Sequence, residues 1–270
     1  MTDSERYQRE TAFHDRTFAE HSRAEVQRFY SITGASHRYY RQLITRDCAN
    51  KSVLEYGCGP GSYAFALAAL GAHVTGVDIS PVAIDLARQT ARDQGLDISL
   101  SVMNAESLDL PDASFDIVCG SGILHHLDLT RALAEVRRVM KPNARGVFYE
   151  PLGHNPLINW YRRRTPHLRS ADEHPLRMRD IRLMERYFDS VSIRTFHLTA
   201  LCAVPLRRLP RFPTLVALLD ALDSGLFRAI PPLRRHAWSC VIEVHARGDA
   251  RLDEGSGSVH HQGEPPTTRL

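Results

Sequence analysis

The sequence lacks several features that would assign it to a special class. None of its apolar runs approaches eighteen residues, so no segment is a candidate transmembrane helix. Its five cysteines are an odd number and widely scattered, with no Cys-x-x-Cys pair, which favours reduced thiols. The opening stretch MTDSERYQRETAFHD is polar and has no apolar signal-peptide segment. We therefore expect a soluble, cytoplasmic protein without stable membrane insertion.

An excess of one charge is also missing. The formal net charge is +3 over 270 residues, which disfavours nucleic acid or another polyanion as the partner. Among the 34 basic residues only Lys51 and Lys141 are lysines. Codon bias explains such a chain-wide preference, so the abundance of arginine does not by itself indicate phosphate binding.

What is present is an alternation of short apolar segments with helical patterns. Strands are predicted at residues 52–56, 73–77, 98–103, 115–119 and 146–150, with two more at 191–197 and 239–246. Helices are predicted at residues 62–70, 81–93 and 129–140, the last two with Ser80 and Asp128 as N-caps. This pattern predicts an α/β fold with a doubly wound, mostly parallel seven-stranded sheet and helical insertions after strand five.

Three glycines at alternate positions follow the first predicted strand, in the segment EYGCGPGSY. Ligands of an open parallel sheet bind outside the carboxyl ends of its strands, where the strand order reverses. The bare backbone at Gly57, Gly59 and Gly61 would let a ligand approach closely, and the next helix offers amide donors. The segment therefore predicts a ligand site at this turn.

Two carboxylates near the turn restrict the ligand. Asp78 closes the second strand about twenty residues later, where an acidic group accepts hydrogen bonds from ribose hydroxyls. Glu55, two residues before the first glycine, would repel a pyrophosphate but suits an ammonium group. The third glycine also comes one residue too early for a dinucleotide motif, where Ser62 stands instead. A nicotinamide cofactor is therefore disfavoured.

These residues resemble the first motif of the class I S-adenosylmethionine-dependent methyltransferases, an acidic residue followed by Gly-x-Gly-x-Gly. The resemblance covers roughly residues 50–150 and continues in NAESLDLPDASFDIVCGSGILHHL and EVRRVMKPNARGVFYEP. It implies the Rossmann-like methyltransferase fold, S-adenosyl-L-methionine as cofactor, and methyl transfer as the reaction.

The resemblance also assigns roles to individual positions. It implies that Glu55 and the first two glycines line the methionine part of the cofactor, and that Asp78 holds the ribose. Asn104 and the Ala105 amide would contact the adenine, although an aspartate is commoner than Asn104 at that position. The complete implied set is Glu55, Gly57, Cys58, Gly59, Gly61, Asp78, Ile79, Asn104, Ala105, Glu106 and Ser121.

The sequence gives weaker signals for the residues that would act on the methyl acceptor than for those that would bind the cofactor. His125 and His126 are candidate general bases, with a structural role as the alternative for both. The histidines show no metal-ligand spacing, so no metal is predicted. Candidates for acceptor binding come from the N-terminal segment, the end of strand five and the arginine-rich stretch after it: Tyr7, His14, Tyr39, Glu150, Arg162, Arg163, Arg164 and Arg169. Helix packing for the aromatic residues and a solvated face for the arginines are the alternatives.

One methyltransferase domain is expected over residues 1–247. It comprises an N-terminal helical lid at 1–45, a cofactor-binding core at 50–150, and acceptor-side elements with the last strands at 151–247. Residues 248–270 have almost no apolar content and are predicted to be a disordered tail. We expect methylation of an oxygen or carbon atom of a small, largely apolar, natural-product or lipid-like metabolite. The alternatives are a non-catalytic cofactor-binding protein and a nicotinamide oxidoreductase.

Overall fold

A seven-stranded sheet forms the centre of the computed structural model, which describes residues 3–20, 28–61, 63–170 and 172–246. The strand order is β3-β2-β1-β4-β5-β7-β6; β1 to β5 are parallel to one another, and β7 is antiparallel to β5 and β6. The strands are β1 (Ser52–Tyr56), β2 (His73–Asp78), β3 (Ile98–Val102), β4 (Phe115–Ser121), β5 (Met140–Pro151), β6 (Ser190–Phe196) and β7 (Ser239–His245).

Helices cover both faces of this sheet. They are α1 (Asp3–Glu20), α2 (Gly34–Thr45), α3 (Ala64–Ala69), α4 (Pro81–Asp93), α5 (Leu129–Val139), α6 (Pro156–Arg164), α7 (Met178–Met184) and α8 (Phe212–Ala229). Short 3-10 turns lie at Leu124–His126, Pro166–Leu168, Ala200–Leu206 and Pro231–His236. No described helix has the length and apolar character needed to cross a membrane.

The strands read as continuous apolar runs because both of their faces are buried. On β1, Leu54 belongs to the apolar core on one side of the sheet and Val53 to the core on the other. The same alternation separates Val118 from Ile117 on β4. Helices on both sides are therefore required, as in a doubly wound fold.

The predicted helix caps form as the sequence indicates. The Ser80 hydroxyl accepts a hydrogen bond from the Ala83 amide at 3.1 Å, at the start of α4. The Asp128 carboxylate accepts from the Thr130 and Arg131 amides at 2.9 and 3.2 Å, at the start of α5. Both caps fix the helices that follow β2 and β4, and therefore the loops at the carboxyl ends of those strands.

The main difference from the sequence prediction lies in β5. This strand begins at Met140 rather than Gly146, because Met140 already pairs with Phe115 before an irregularity in the register. After Pro151, where the sequence predicts helical insertions, the structure has helices α6 and α7. The predicted tail at 248–270 lies outside the described residues.

Candidate active site

A cavity of about 1240 Å³ lies at the carboxyl ends of the central strands. Its walls include Gly57 and Cys58 after β1, Asp78 at the end of β2, Ser121 at the end of β4, and Tyr149 on β5. Binding sites for one small ligand usually enclose about 300–1,000 Å³. This cavity is therefore large enough for a nucleoside-containing cofactor together with a second small molecule.

The glycine turn divides into two parts with different physical requirements. Gly57 and Gly59 line the cavity and have positive φ values of 74° and 53°. Gly61, at φ 94°, is not a lining residue; a Cβ there would lie 2.1 Å from the Phe65 ring. The first two glycines thus give access to the backbone, whereas the third permits the close packing of Phe65.

Glu55 lies behind the glycine turn rather than in the cavity. Its carboxylate accepts hydrogen bonds from the Tyr63 amide at 3.0 Å and the Ala64 amide at 2.7 Å, and the residue is 1% exposed. It therefore stabilises the N-terminus of α3 and fixes the shape of the turn. Direct contact of Glu55 with the methionine end of a cofactor stays a prediction, and the observed hydrogen bonds give it a structural role.

Asp78 faces the cavity from the end of β2. Its Oδ2 accepts a hydrogen bond from the Gly59 amide at 2.8 Å and its Oδ1 accepts from the Ser80 amide at 2.9 Å. Burial raises the pKa of Asp78, and these two hydrogen bonds oppose that shift. Each carboxylate oxygen has a second lone pair, so the group can still accept from two hydroxyls.

The loop after β3 supplies the next part of the wall. Asn104, Ala105 and Glu106 all line the cavity, as do Ile79 and Ser121 from the neighbouring strand ends. The Asn104 Oδ1 accepts from the Glu106 amide at 2.9 Å, and the Ala105 carbonyl accepts from the buried Tyr56 hydroxyl. These bonds hold the loop in a fixed conformation before any ligand arrives.

Glu106 connects this loop with two other elements. Its Oε2 accepts a hydrogen bond from Arg6 on α1, and its Oε1 accepts from the Asp128 amide at 2.7 Å. The residue is 8% exposed, so both contacts are shielded from water. Glu106 therefore joins the N-terminal helix to the α5 cap across the edge of the cavity.

His125 is held by a buried carboxylate. Its Nδ1 lies 2.7 Å from Glu150 Oε2, while Glu150 Oε1 accepts from the Ile123 and Leu124 amides at 3.0 and 2.8 Å. Glu150 is completely buried and does not line the cavity, whereas His125 does. Glu150 was predicted as an acceptor-binding residue, and the structure places it instead as the hydrogen-bond partner that orients the His125 ring.

His126 lies in a separate cluster with the N-terminal helix. Its Nδ1 is 3.2 Å from Glu10 Oε2, and the same oxygen is 3.5 Å from His14 Nε2. Burial lowers the pKa of His126, the neighbouring His125 adds to this effect, and Glu10 opposes it. Glu10, His14 and His126 bring their ligand atoms within 4.8 Å of one another, as do His125, His126 and Glu173.

Aromatic side chains from β5 and from segments outside residues 57–121 line another part of the cavity. The Phe29 ring lies 4.8 Å from that of Tyr161 and 5.7 Å from that of Trp238, and Tyr30 and Tyr149 also contribute. The Tyr161 hydroxyl is buried there and makes no hydrogen bond within the described residues. This end of the cavity is suited to a flat, mostly apolar ligand.

Only two of the four predicted arginines face this end. Arg162 donates to Glu173 at 2.6 Å, and Arg169, 3.7 Å from the same carboxylate, donates to the Thr165 carbonyl at 2.7 Å. Arg163 and Arg164 lie on the exposed side of α6, and Arg164 stacks over the Trp160 ring. Successive residues of a helix turn by about 100°, so the helix that directs Tyr161 and Arg162 toward the cavity directs Arg163 and Arg164 away from it.

Of the three N-terminal candidates, two line the cavity and one does not. Tyr7 and His14 line the cavity from α1. Tyr39 on α2 packs 5.8 Å from Phe196 and lies beneath the Arg194 guanidinium, away from the lining residues. The structure therefore supports helix packing, the alternative for this tyrosine.

Some cavity residues were not predicted from the sequence. The Tyr63 hydroxyl lies 2.8 Å from His37 Nδ1, and both side chains line the cavity together with Glu10, Phe18 and Glu173. Glu10 and His14 are four residues apart on a helix, and this spacing was the one local signal that places them on a common face. The others come together only through the tertiary fold.

Comparisons with known proteins found a matching family model and similar proteins. Residues 54–148 match the family model described as a methyltransferase domain. The ubiquinone biosynthesis O-methyltransferase of Coxiella burnetii is 35% identical over 119 residues, which cover 44% of this chain and 50% of that protein. The aklanonic acid methyltransferase DauC of Streptomyces sp. is 37% identical over 114 residues, covering 40% of this chain and 52% of the relative.

The chain thus spans about half the length of the curated relatives it matches. A similar fold is found in phosphoethanolamine N-methyltransferase 2 of Haemonchus contortus, solved in complex with S-adenosyl-L-methionine. That structure has a TM-score of 0.59 and 16% identity, and the match covers 80% of this chain and 53% of the other. At this identity the match indicates a shared fold alone.

Proposed function

Because the chain belongs to the class I S-adenosylmethionine-dependent methyltransferases, with S-adenosylmethionine as cofactor, we propose that it methylates a hydroxyl oxygen of a small, largely apolar acceptor. The observation that carries this proposal is the buried Glu150 holding His125 at the cavity wall. An oriented imidazole is the group that removal of a hydroxyl proton requires.

The cofactor would occupy the half of the cavity beside the glycine turn. Asp78 would accept hydrogen bonds from the ribose hydroxyls, and the loop at Asn104 and Ala105 would border the adenine. When bound, the cofactor supplies a methyl group on a positively charged sulfur, which is already a good leaving group. The protein's own contribution is therefore to orient the acceptor, exclude water and remove a proton.

His125 would perform the proton transfer. In the proposed tautomer its Nδ1 donates to Glu150 Oε2, which leaves Nε2 with a free lone pair. Nε2 would then accept the proton that the acceptor hydroxyl releases when it is methylated. Glu150 acts as a positioning residue, because it fixes the ring and stabilises the positive charge that forms on it.

The acceptor would lie between the aromatic walls and the arginines. Phe29, Tyr161 and Trp238 provide flat apolar surface, and the Tyr161 hydroxyl is available as a hydrogen-bond donor. Arg162 and Arg169 share one carboxylate, that of Glu173, so one positive charge remains for an anionic substituent. Two similar proteins are named for O-methylation in ubiquinone biosynthesis and for methylation of aklanonic acid, which supports a small-molecule acceptor.

The test uses the purified full chain with isotopically labelled S-adenosylmethionine. Phenols, aromatic hydroxy acids and aliphatic alcohols are compared with tRNA, DNA and basic peptides, and products are identified by mass spectrometry. Methylated phenolic products are expected. Methylation of a macromolecule alone would contradict the proposal. Tight cofactor binding with no product from any acceptor would instead favour a non-catalytic cofactor-binding protein.

A further inference from the structure

Three potential metal ligands meet between the N-terminal helix and the core. Glu10 and His14 come from α1, one helical turn apart, and His126 comes from the 3-10 turn after β4. Glu10 is 5% exposed and His126 is 9% exposed, so the cluster is shielded from solvent. The sequence gives no metal motif because His126 lies more than a hundred residues from the other two ligands.

The distances in this cluster match those between ligand atoms around one ion. Glu10 Oε2 lies 3.5 Å from His14 Nε2 and 3.2 Å from His126 Nδ1, and all three ligand atoms lie within 4.8 Å of one another. Two ligands at about 2.0–2.1 Å from a tetrahedral zinc ion are about 3.3 Å apart. A small movement of the rings would therefore bring the three atoms into coordination distance.

The charge of Glu10 supplies a second, independent argument. The carboxylate is buried, and the groups that face it are the His14 and His126 rings and the Ser170 hydroxyl. Its ion pairs are with His14 and His126, whose rings are charged only when protonated. A buried carboxylate without a permanent positive partner among its ion pairs is costly, and a bound cation offsets that cost.

From this arrangement we infer that Glu10, His14 and His126 form a binding site for a divalent transition-metal ion, with Zn²⁺ as the ion that best fits two imidazoles and one carboxylate. The site has an open coordination position toward the cavity, which His14 and His126 also line. The inference concerns metal binding alone and does not depend on the proposed methyl transfer.

A neighbouring set of ligands is less suited to the ion. His125, His126 and Glu173 also lie close together. However, Glu173 is already paired with Arg162 at 2.6 Å, and His125 is already bonded to Glu150 at 2.7 Å. The set that contains Glu10 is the one whose carboxylate has no permanent positive partner among its ion pairs.

A bound ion would connect α1 to the core. Two ligands belong to α1 and the third follows β4, so coordination would join these elements directly. Metal binding should therefore stabilise the packing of α1 against the core and raise the melting temperature of the full chain.

The experiment is a calorimetric titration of the chelator-treated full chain with Zn²⁺, compared with Glu10→Gln and His14→Gln. We expect one ion per chain, and affinity at least about tenfold lower in each variant. His174→Gln is the matched control, because its ring is exposed nearby but lies outside the cluster. The double variant His260→Ala/His261→Ala removes an adjacent histidine pair that could bind metal by itself. Both controls should bind Zn²⁺ as the unchanged chain does, and Mg²⁺ should not compete.

Equal affinity in the two ligand variants, or loss of binding in the His260/His261 variant, would overturn the inference. A measurement on the unchanged chain guards against variants that fail to fold. Zn²⁺ should shift the imidazole NMR signals of His14 and His126, while the signals of His73, which is exposed at the start of β2, stay unchanged. Unchanged His14 and His126 signals would also overturn it.

Discussion

The two halves of the cavity are built from different kinds of chain segment. The half beside the glycine turn comes from short loops that directly follow β1, β2, β3 and β4, all within residues 57–121. The opposite half combines Phe29, Tyr149, Tyr161 and Trp238, which are far apart in the sequence. The first half follows from the order of the strands, whereas the second depends on how remote segments pack. This difference explains why the cofactor was predictable and the acceptor was not.

The largest expected effect concerns the acceptor half. His125→Gln should lower kcat by about 10²- to 10⁴-fold, because the acceptor hydroxyl loses its proton acceptor. Cofactor affinity should change little, since the imidazole is not among the groups proposed to hold the cofactor. Steady-state kinetics and cofactor calorimetry measure the two effects. His73→Gln, an exposed histidine on β2, is the control. An unchanged kcat would exclude His125 as the base.

Asp78→Ala tests the cofactor half. It should weaken S-adenosylmethionine binding by about 1.5–3 kcal/mol, because the ribose hydroxyls lose a charged acceptor. The matched control is Asp85→Ala, a substitution of a carboxylate on α4 that is 75% exposed. Calorimetry in the absence of acceptor gives both affinities. Equal affinities in the two variants would show that the ribose lies elsewhere.

Gly61→Ala should destabilise the fold by about 1–3 kcal/mol, because the added Cβ would meet the Phe65 ring at 2.1 Å in a left-handed backbone conformation. Gly59→Ala is the comparison, since its Cβ would lie 3.5 Å from Phe18. Denaturant unfolding should show the larger loss of stability for Gly61→Ala. The reverse order would contradict the assignment of Gly61 to packing and Gly59 to access.

A smaller effect on KM should distinguish Arg169, which lines the cavity, from the exposed Arg163. Arg169→Gln should raise KM for anionic acceptors by roughly tenfold and leave KM for neutral ones nearly unchanged, because a charge-assisted contact is lost. Arg163→Gln, on the exposed side of α6, should change neither value. Equal effects on both acceptor classes would place the Arg169 charge outside the acceptor site.

The smallest expected effect is a pH dependence outside the cavity. The hydrogen bond from Arg138 lowers the pKa of Glu135, and burial partly opposes this shift. A carboxyl whose folded pKa is depressed stabilises the fold above its unfolded pKa of about 4.3, and this contribution is lost as pH falls through the folded value. Glu135→Gln should therefore cost less than about 1 kcal/mol near neutral pH and approach zero cost in acid. A cost that grows in acid would contradict the sign.

Local signals predicted most of the fold. The bounds of β1 are as predicted, and the caps at Ser80 and Asp128 form because an N-cap depends only on the next few residues. Glu55 and Glu150 show where local reasoning fails. Each is a buried carboxylate that accepts two backbone amides, and a sequence does not reveal which amides lie within reach. In both cases the residue type predicts ligand contact: Glu150 instead holds His125, whereas cofactor contact by Glu55 stays a prediction beside its bonds to the α3 amides.

The position of α1 has a consequence for the order of events during turnover. Arg6 bonds to Glu106, the Ser80 hydroxyl donates to Asp15, and the Phe18 ring covers Gly59. These three contacts extend along the helix and all fall on the side of the cavity next to the glycine turn. We therefore expect exchange of spent cofactor for fresh cofactor to separate α1 from the core, whereas an acceptor approaching the aromatic walls would leave these contacts in place. We expect cofactor to bind first and leave last, with α1 movement limiting how fast one cycle can follow another.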